Sequence, residues 1–216
     1  MIEFEELRGL NHRDTAVRLL ADGWNVCGMG DWATVWRSPD GTRVARVSAF
    51  EPAYGVFVRL CRNLDRHPML PRIDFDAELF GGGRITVMEF LRPASAAERS
   101  AVLARWDEAA TDDPVSALRR EAERLNAEAA ATIPFWGALD RNPSNVMRRP
   151  TGDPVLVDLF YADGPEIYRV LLEDPAKISS AFPAERRAFI DEIAVIARES
   201  TPEEIAALRA AAASIR

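Results

Sequence analysis

Lysine is almost absent from this chain: 26 of the 27 basic residues are arginine, and Lys177 stands alone. Genomic base composition is the plain cause, but the consequence is chemical, because any motif away from residue 177 must use arginine as its cation. Cysteine is scarce as well. Cys27 and Cys61, both in apolar surroundings, are too few for a disulfide framework or a metal cluster and read as reduced core residues. His12 and His67 have no partner at ligand spacing and read as surface or structural. No apolar run approaches the roughly 20 residues of a membrane span. The start Met1-Ile2-Glu3-Phe4-Glu5-Glu6 is too acidic for a signal peptide, so the expected address is the cytoplasm. With 34 acidic residues against 27 basic ones the formal charge is −7. That balance lacks the basic face that nucleic acid or an anionic membrane would require, and neither is expected as a partner. What is present is an ordinary globular composition, 48% apolar and 28% charged over 216 residues. It is enough for one large domain or two small lobes.

Periodicity divides the chain. Asp14 to Ala21 reads as a short helix ended by Asp22-Gly23. Residues 24–29, 33–38 and 42–48 then read as three consecutive antiparallel strands, with turns at Gly30-Asp31 and Pro39-Asp40-Gly41. Ala53 to Leu64 is helical, with Val56, Phe57, Leu60 and Cys61 on one side. Two further strands are expected, near Leu70 to Phe75 and at Arg84 to Phe90, the latter after the turn Gly81-Gly82-Gly83. Beyond Pro93 the pattern switches to Ala-rich helices, 94–110 and 115–132, the second with Leu118, Ala122, Leu125 and Ala129 in a stripe. This places a lobe boundary near Leu91 to Pro93, giving segments 1–91 and 92–216. Ile133 to Pro150 is irregular, and Pro154 to Leu159 is a short apolar strand. Glu185 to Ser200 reads as a helix, and Thr201-Pro202-Glu203-Glu204 is a capping box opening a last one.

Three places could carry chemistry. Gly28-Met29-Gly30-Asp31-Trp32-Ala33-Thr34-Val35 lies between two strands; it is either a plain hairpin or a loop whose backbone approaches phosphate oxygens. A strand after the glycines excludes the dinucleotide fingerprint, which needs a helix there. Trp32 at its tip either covers a ligand or closes over the sheet. In the third strand, alternation puts Val44 and Arg46 on one face and Ala45 and Val47 on the other. Arg46 then either meets a polyanion or reaches solvent along the sheet edge. The third place is Asp140-Arg141-Asn142-Pro143-Ser144-Asn145, with Asp158 thirteen residues further on in an apolar strand. Two carboxylates and an amide are hard oxygen donors suited to Mg²⁺, and Asp158 between Val157 and Leu159 would be costly to bury without a cation or donors. A hydrogen-bonded turn carboxylate is the other reading. Arg148-Arg149 reads as a solvated pair.

A glycine hairpin, a basic third-strand residue, an Asp-x-x-x-x-Asn loop and a downstream Asp, in that order from Trp24 to Asp158, resemble the protein-kinase-like fold. The likeness is greatest to its aminoglycoside-phosphotransferase and small bacterial or phage branches. The resemblance implies an α+β, two-lobed architecture, with an antiparallel sheet and one helix in 1–91 and a compact, mainly helical second lobe in 92–216. It implies ATP and Mg²⁺ as cofactors. Gly28 and Gly30 resemble the first two loop glycines, with Ala33 in place of the third. Val35 is similar to the valine over the adenine, Val44 belongs to the same nucleotide-facing set, and Arg46 stands where the family places its phosphate-binding lysine. Met88 resembles the residue guarding the adenine pocket, and Glu89-Phe90-Leu91 the hinge whose backbone, at Glu89 and Leu91, holds the base. Asp140 is similar to the catalytic base, and Asn145 and Asp158 to the magnesium ligands.

The pattern departs from the family in three ways. Ala138 replaces a supporting histidine two residues before Asp140. Residues 53 to 64 contain no acid to pair with Arg46, leaving Glu51 or Asp65 as substitutes. Asp158-Leu159-Phe160 lacks the usual glycine, and 58 residues follow Asp158, too few for a full protein-kinase lobe. The expected function is phosphoryl transfer from ATP to a hydroxyl of a small molecule or a protein Ser/Thr. The alternative is a kinase-shaped scaffold that acts by binding. The C-terminal helices could pack on their own lobe, on a second copy in a homodimer, or on a protein partner.

Overall fold

The computed structural model describes residues 2–108 and 113–216, so residues 109 and 110 of the helix expected over 94–110 lie outside the described residues. Helices and antiparallel strands make an α+β chain that gathers into two units. The first is built from 1–51, 74–88 and 163–216, the second from 52–73 and 89–162. This partition differs from a single cut at residue 91: the helix after the third strand belongs to the second unit, and everything beyond residue 162 to the first.

In the first unit, α1 (His12–Ala21) starts where the Asn11 side chain accepts the backbone N–H groups of Arg13 and Asp14, satisfying donors that the first helical turn leaves open. It ends at Gly23, whose φ is +84°. Strands β1 (Asn25–Met29), β2 (Ala33–Arg37) and β3 (Arg43–Ser48) form an antiparallel meander and continue into β5 (Arg84–Glu89) and β4 (Ile73–Glu78), in the order β1-β2-β3-β5-β4. The expected alternation of β3 holds. Ala45 and Val47 enter a core with Leu19, Trp24, Phe75, Ile85 and Val87, and Arg46 takes the other face. Strand β4 runs to residue 78, three residues beyond the expected end, through Asp76. That carboxylate is 7% exposed and is held by both Arg84 Nε (2.7 Å) and Arg84 Nη2 (2.6 Å) and by Thr86 Oγ1 (3.0 Å). A paired acid can stay inside a strand where an unpaired one would end it.

The C-terminal stretch of this unit contains α5 (Gly164–Glu173), α6 (Pro175–Ala181), α7 (Ala184–Arg187), α8 (Ala194–Glu199) and α9 (Pro202–Ala213). The single helix expected over 185–200 is broken. Phe189 and Ile193 leave helical geometry on either side of a 3-10 turn, Ile190–Glu192. The buried spacing Ile190, Ile193, Ile196 mimics a helix stripe, but Phe189 seats its ring over Gly81, and the Arg186 carbonyl lies against Gly82. A Cβ on either glycine would overlap those atoms, and both have φ +91°. The triple-glycine turn is thus a receptor for the chain's end as well as a turn.

In the second unit, α2 (Tyr54–Asn63) lies against α4 (Pro114–Thr132) through Arg59–Glu128 (2.7 Å) and Asn63–Glu121 (2.7 Å). The expected stripe Leu118, Ala122, Leu125 and Ala129 is buried. Helix α3 (Ala96–Glu108) and two small sheets complete it: β7 (Trp136–Leu139) with β10 (Phe160–Ala162), and β6 (Arg92–Pro93), β8 (Val146–Arg148) and β9 (Pro154–Leu156) in the order β6-β8-β9. The Tyr161 ring lies where a Cβ on Gly137 would be.

Candidate functional site

Pairing of short strands explains why residues 140, 145 and 158 meet. Leu139 at the end of β7 is opposite Phe160 at the start of β10, so Asp140 leaves one strand beside the point where Leu159 enters the other. Asp140 donates its N–H to Leu159 O (2.9 Å). The β8/β9 pair, Val146 opposite Leu156, brings Asn145 to Val157, whose N–H donates to Asn145 O (2.8 Å). Pro143 opens the 3-10 turn Pro143–Asn145, and Asn142 caps it by accepting from the Ser144 N–H (2.9 Å).

The side chains close the arrangement. Asn145 Nδ2 donates to Asp140 Oδ2 (2.8 Å) and to the Asp158 carbonyl (2.8 Å). Asp140 Oδ1 accepts from the Asn142 N–H (2.8 Å). Both Asn145 amide hydrogens are therefore used, which leaves its Oδ1 as the atom able to face a cation, while each Asp140 oxygen keeps acceptor capacity for a hydroxyl. Asp158 does not continue an apolar strand, as the sequence suggested. It sits at φ +64° between β9 and β10, a left-handed position that Asp tolerates better than most residues. This break turns its carbonyl toward Asn145. Asn145 Oδ1 and the Asp158 carboxylate are oxygen donors of the type Mg²⁺ takes from protein, the rest of its shell coming from water and phosphate oxygens. Among the described residues no group of three or more His, Cys, Asp or Glu is placed to hold a metal by itself. The chemistry of the donor set therefore suits a cation shared with a ligand. Val102 and Trp106 of α3 and Leu159 line a cavity together with Asp140, Asn142 and Asn145 of the loop.

In the first unit, Gly28 is opposite Val35, and Val35 opposite Arg46. Directly paired residues share a sheet face, so these three form a row across β1, β2 and β3. Val44 lies two residues from Arg46 on the same face. A bulge between Val26 and Gly28 sets Cys27 apart. Cys27 is exposed, contrary to its expected place in the core, whereas Cys61 is buried and its thiol is pushed up to about 12 by desolvation. A Cβ on Gly28 or Gly30 would meet only ordinary contacts, at 3.8 and 3.9 Å, and neither has positive φ. The chain's own packing gives no reason for glycine at these two positions.

Arg46 has its acid. Its Nη1 lies 2.6 Å from Glu51 Oε2, with side-chain exposures of 11% and 2%, and the Glu51 N–H is anchored on Gly82 O (2.9 Å). Glu51, before the helix, is thus an acid paired with Arg46 where 53–64 offers none. Met88 is buried at 5% exposure in β5. Glu89 donates its N–H to Arg72 O (3.2 Å), and its carboxylate accepts from Arg149 Nη2 (2.9 Å) and Nε. Leu91 is buried. Arg149 is not half of a solvated pair: it also donates to the carbonyls of Pro68 and Leu70 (2.5 and 2.7 Å) and so fixes Glu89. Its neighbour Arg148 does face outward, toward Glu98. Trp32 packs on Phe50, ring centroids 6.3 Å apart, and His67 is structural, taking the Met69 N–H on Nδ1.

No helix among the described residues is long and apolar enough to cross a membrane. No family model matches the chain, and no curated protein matches it. A MAP kinase from Leishmania major is similar in its solved structure over 93% of this chain and 65% of its own, at 12% identity and a TM-score of 0.34. The chain thus spans 65% of the length of that kinase, and a likeness of that size leaves the site to be judged on its own geometry.

Proposed function

We propose that this protein is an ATP- and magnesium-dependent phosphotransferase acting on a hydroxyl, of a small molecule or of a protein Ser/Thr. The observation that carries the reading is the Asn145 side chain bonded at once to Asp140 and to the backbone of Asp158. That linkage makes one unit of residues separated by up to 18 positions, in the order and spacing of the kinase-like pattern.

In this reading Asp140, held by two donors, orients the acceptor hydroxyl and takes up its proton. Asn145 Oδ1 and the Asp158 carboxylate hold the metal. Arg46, steadied by Glu51, faces the phosphates, and Gly28 and Gly30 allow the hairpin backbone to approach them. Val35, Val44 and Met88 enclose the base, with Glu89 and Leu91 as the hinge. Magnesium bound with the triphosphate supplies charge neutralisation at the phosphoryl oxygens, and the protein's share is chiefly positioning. The absence of any intramolecular need for glycine at 28 and 30 supports a role for them outside the fold.

The test is a titration with ATP, with and without Mg²⁺, followed by mass spectrometry for added phosphate. Asp140→Ala is expected to abolish transfer while nucleotide affinity stays within a few-fold, and Asp158→Ala to remove the magnesium-dependent part of binding. Ala138, exposed and without a side chain that could support the loop, favours a second reading, a scaffold that binds but does not transfer. Absence of a magnesium-dependent thermal shift, of hydrolysis and of self-phosphorylation would select it.

A further inference from the structure

The tip of the glycine hairpin is held from outside the sheet. Asp31 O accepts the Val195 N–H (2.8 Å), and Asp31 Oδ1 lies 2.6 Å from Arg198 Nη2. Trp32, the next residue, stands over Gly164, where a Cβ would come within 3.2 Å of the indole. It also lies on Phe50, which meets Phe182 edge-on at 5.1 Å. The segment that reaches Asp31 is itself anchored: Phe189 over Gly81, and Glu192 to Arg13 (2.6 Å) and His12 (3.2 Å) on α1. Within the hairpin the tip is closed by Gly30 N–H to Ala33 O (2.9 Å).

We propose that Phe189–Arg198 is a latch that holds the glycine hairpin ready for its ligand, with Arg198 as the positioning residue. A carboxylate at the tip of a hairpin that is to receive an anion opposes binding unless a cation lies beside it, and Arg198, which it shares with Glu199 (2.6 Å), supplies that cation. Fixing the tip in advance also removes ordering cost from the binding step. Both effects act in one direction, so releasing the latch weakens anion binding. The Asp31–Arg198 pair is largely exposed, 67% and 38%, which makes it a modest restraint that a partner or modification can shift. The link to nucleotide rests on the function proposed above; the restraint on the hairpin does not.

The experiment compares the full chain with Arg198→Ala, Arg198→Lys and the exchange Asp31→Arg with Arg198→Asp. Amide hydrogen exchange is followed at residues 28–34, with β5 as internal control, and Mg-ATP affinity is measured in parallel. Arg198→Ala is expected to speed exchange at the hairpin roughly fivefold while β5 is unchanged, and to weaken Mg-ATP binding by a similar factor. Arg198→Lys and the charge exchange are expected to restore most of the protection. Unchanged hairpin exchange, or a loss of protection that spreads equally to β5, overturns the latch. Faster exchange with unchanged or tighter Mg-ATP binding overturns the positioning role of Arg198. If the unaltered protein binds no Mg-ATP, the proposed function fails, and the latch is then decided by the exchange data alone.

Discussion

The Asp140 loop and the glycine hairpin are two irregular segments stabilised in opposite ways. The bonds that join Asp140, Asn145, Val157 and Asp158 come from within twenty residues of chain: Asn142 to Asp140, Asn145 to Asp140 and Asp158, Val157 to Asn145. The hairpin tip instead relies on Val195 and Arg198, more than 160 residues away. A locally closed loop keeps its geometry as long as its own residues are intact. A remotely held one can be altered by events elsewhere in the chain.

The largest effect expected on this contrast comes from the buried pair behind the hairpin. Glu51→Ala breaks the buried Arg46–Glu51 pair and is expected to cost about 3–5 kcal/mol, measured by urea unfolding; Glu51→Gln should cost less. Next is Gly82→Ala, which puts a Cβ onto the Arg186 carbonyl at a positive φ. A loss of about 2 kcal/mol or more is expected, with faster hydrogen exchange over 186–198. Gly28→Ala, free of any such clash, should stay within about 0.5 kcal/mol. Equal costs at Gly82 and Gly28 would erase the distinction between a glycine kept for packing and one kept for another reason. In the local loop, Asn145→Ala removes the donor shared by Asp140 and Asp158 and is expected to cost about 1–3 kcal/mol. It should disturb exchange only between residues 140 and 160.

The smallest effect concerns the β2–β3 turn. There Ser38 Oγ and the Thr42 N–H and Oγ1 donate to Asp40 Oδ1, and its pKa is lowered to about 2, first by Ser38. A depressed carboxylate adds stability above its ordinary pKa near 4, and loses it as the pH falls toward 2. An NMR titration of the Asp40 carboxyl should show a midpoint near 2, moving upward in Ser38→Ala. A thiol reagent gives an independent check on burial: Cys27 should react well before Cys61 at neutral pH, because a buried thiol with a raised pKa has little thiolate.

Local patterning made much of this legible. Alternation placed Arg46 opposite Ala45 and Val47, the stripe through Leu118 and Ala129 gave α4, and the Asp-x-x-x-x-Asn spacing identified the loop that folds on itself. Errors arose where a distant residue changed the meaning of a local signal. The strand expected to end at Phe75 runs on through Asp76 because Arg84 pairs with that carboxylate. Ile190, Ile193 and Ile196 looked like one helix until Phe189 turned aside to Gly81. Arg149 looked solvated until the carbonyls of Pro68 and Leu70 and the carboxylate of Glu89 surrounded it. The apolar neighbours of Asp158 suggest a strand because they say nothing about its left-handed φ.

The sequence alone determined which residue types were available, which segments alternate or recur at helical spacing, and that Asp140, Asn145 and Asp158 stand at a telling interval. These are properties of neighbours in the chain, where spacing decides which side chains share a face. Only the tertiary structure decided that Glu51 pairs with Arg46, that the last fifty residues close over the sheet and its glycine turns, and that Asn145 joins two aspartates through a single amide. Those outcomes depend on contacts between distant segments, and the same local pattern is compatible with many such pairings until the packed chain selects one.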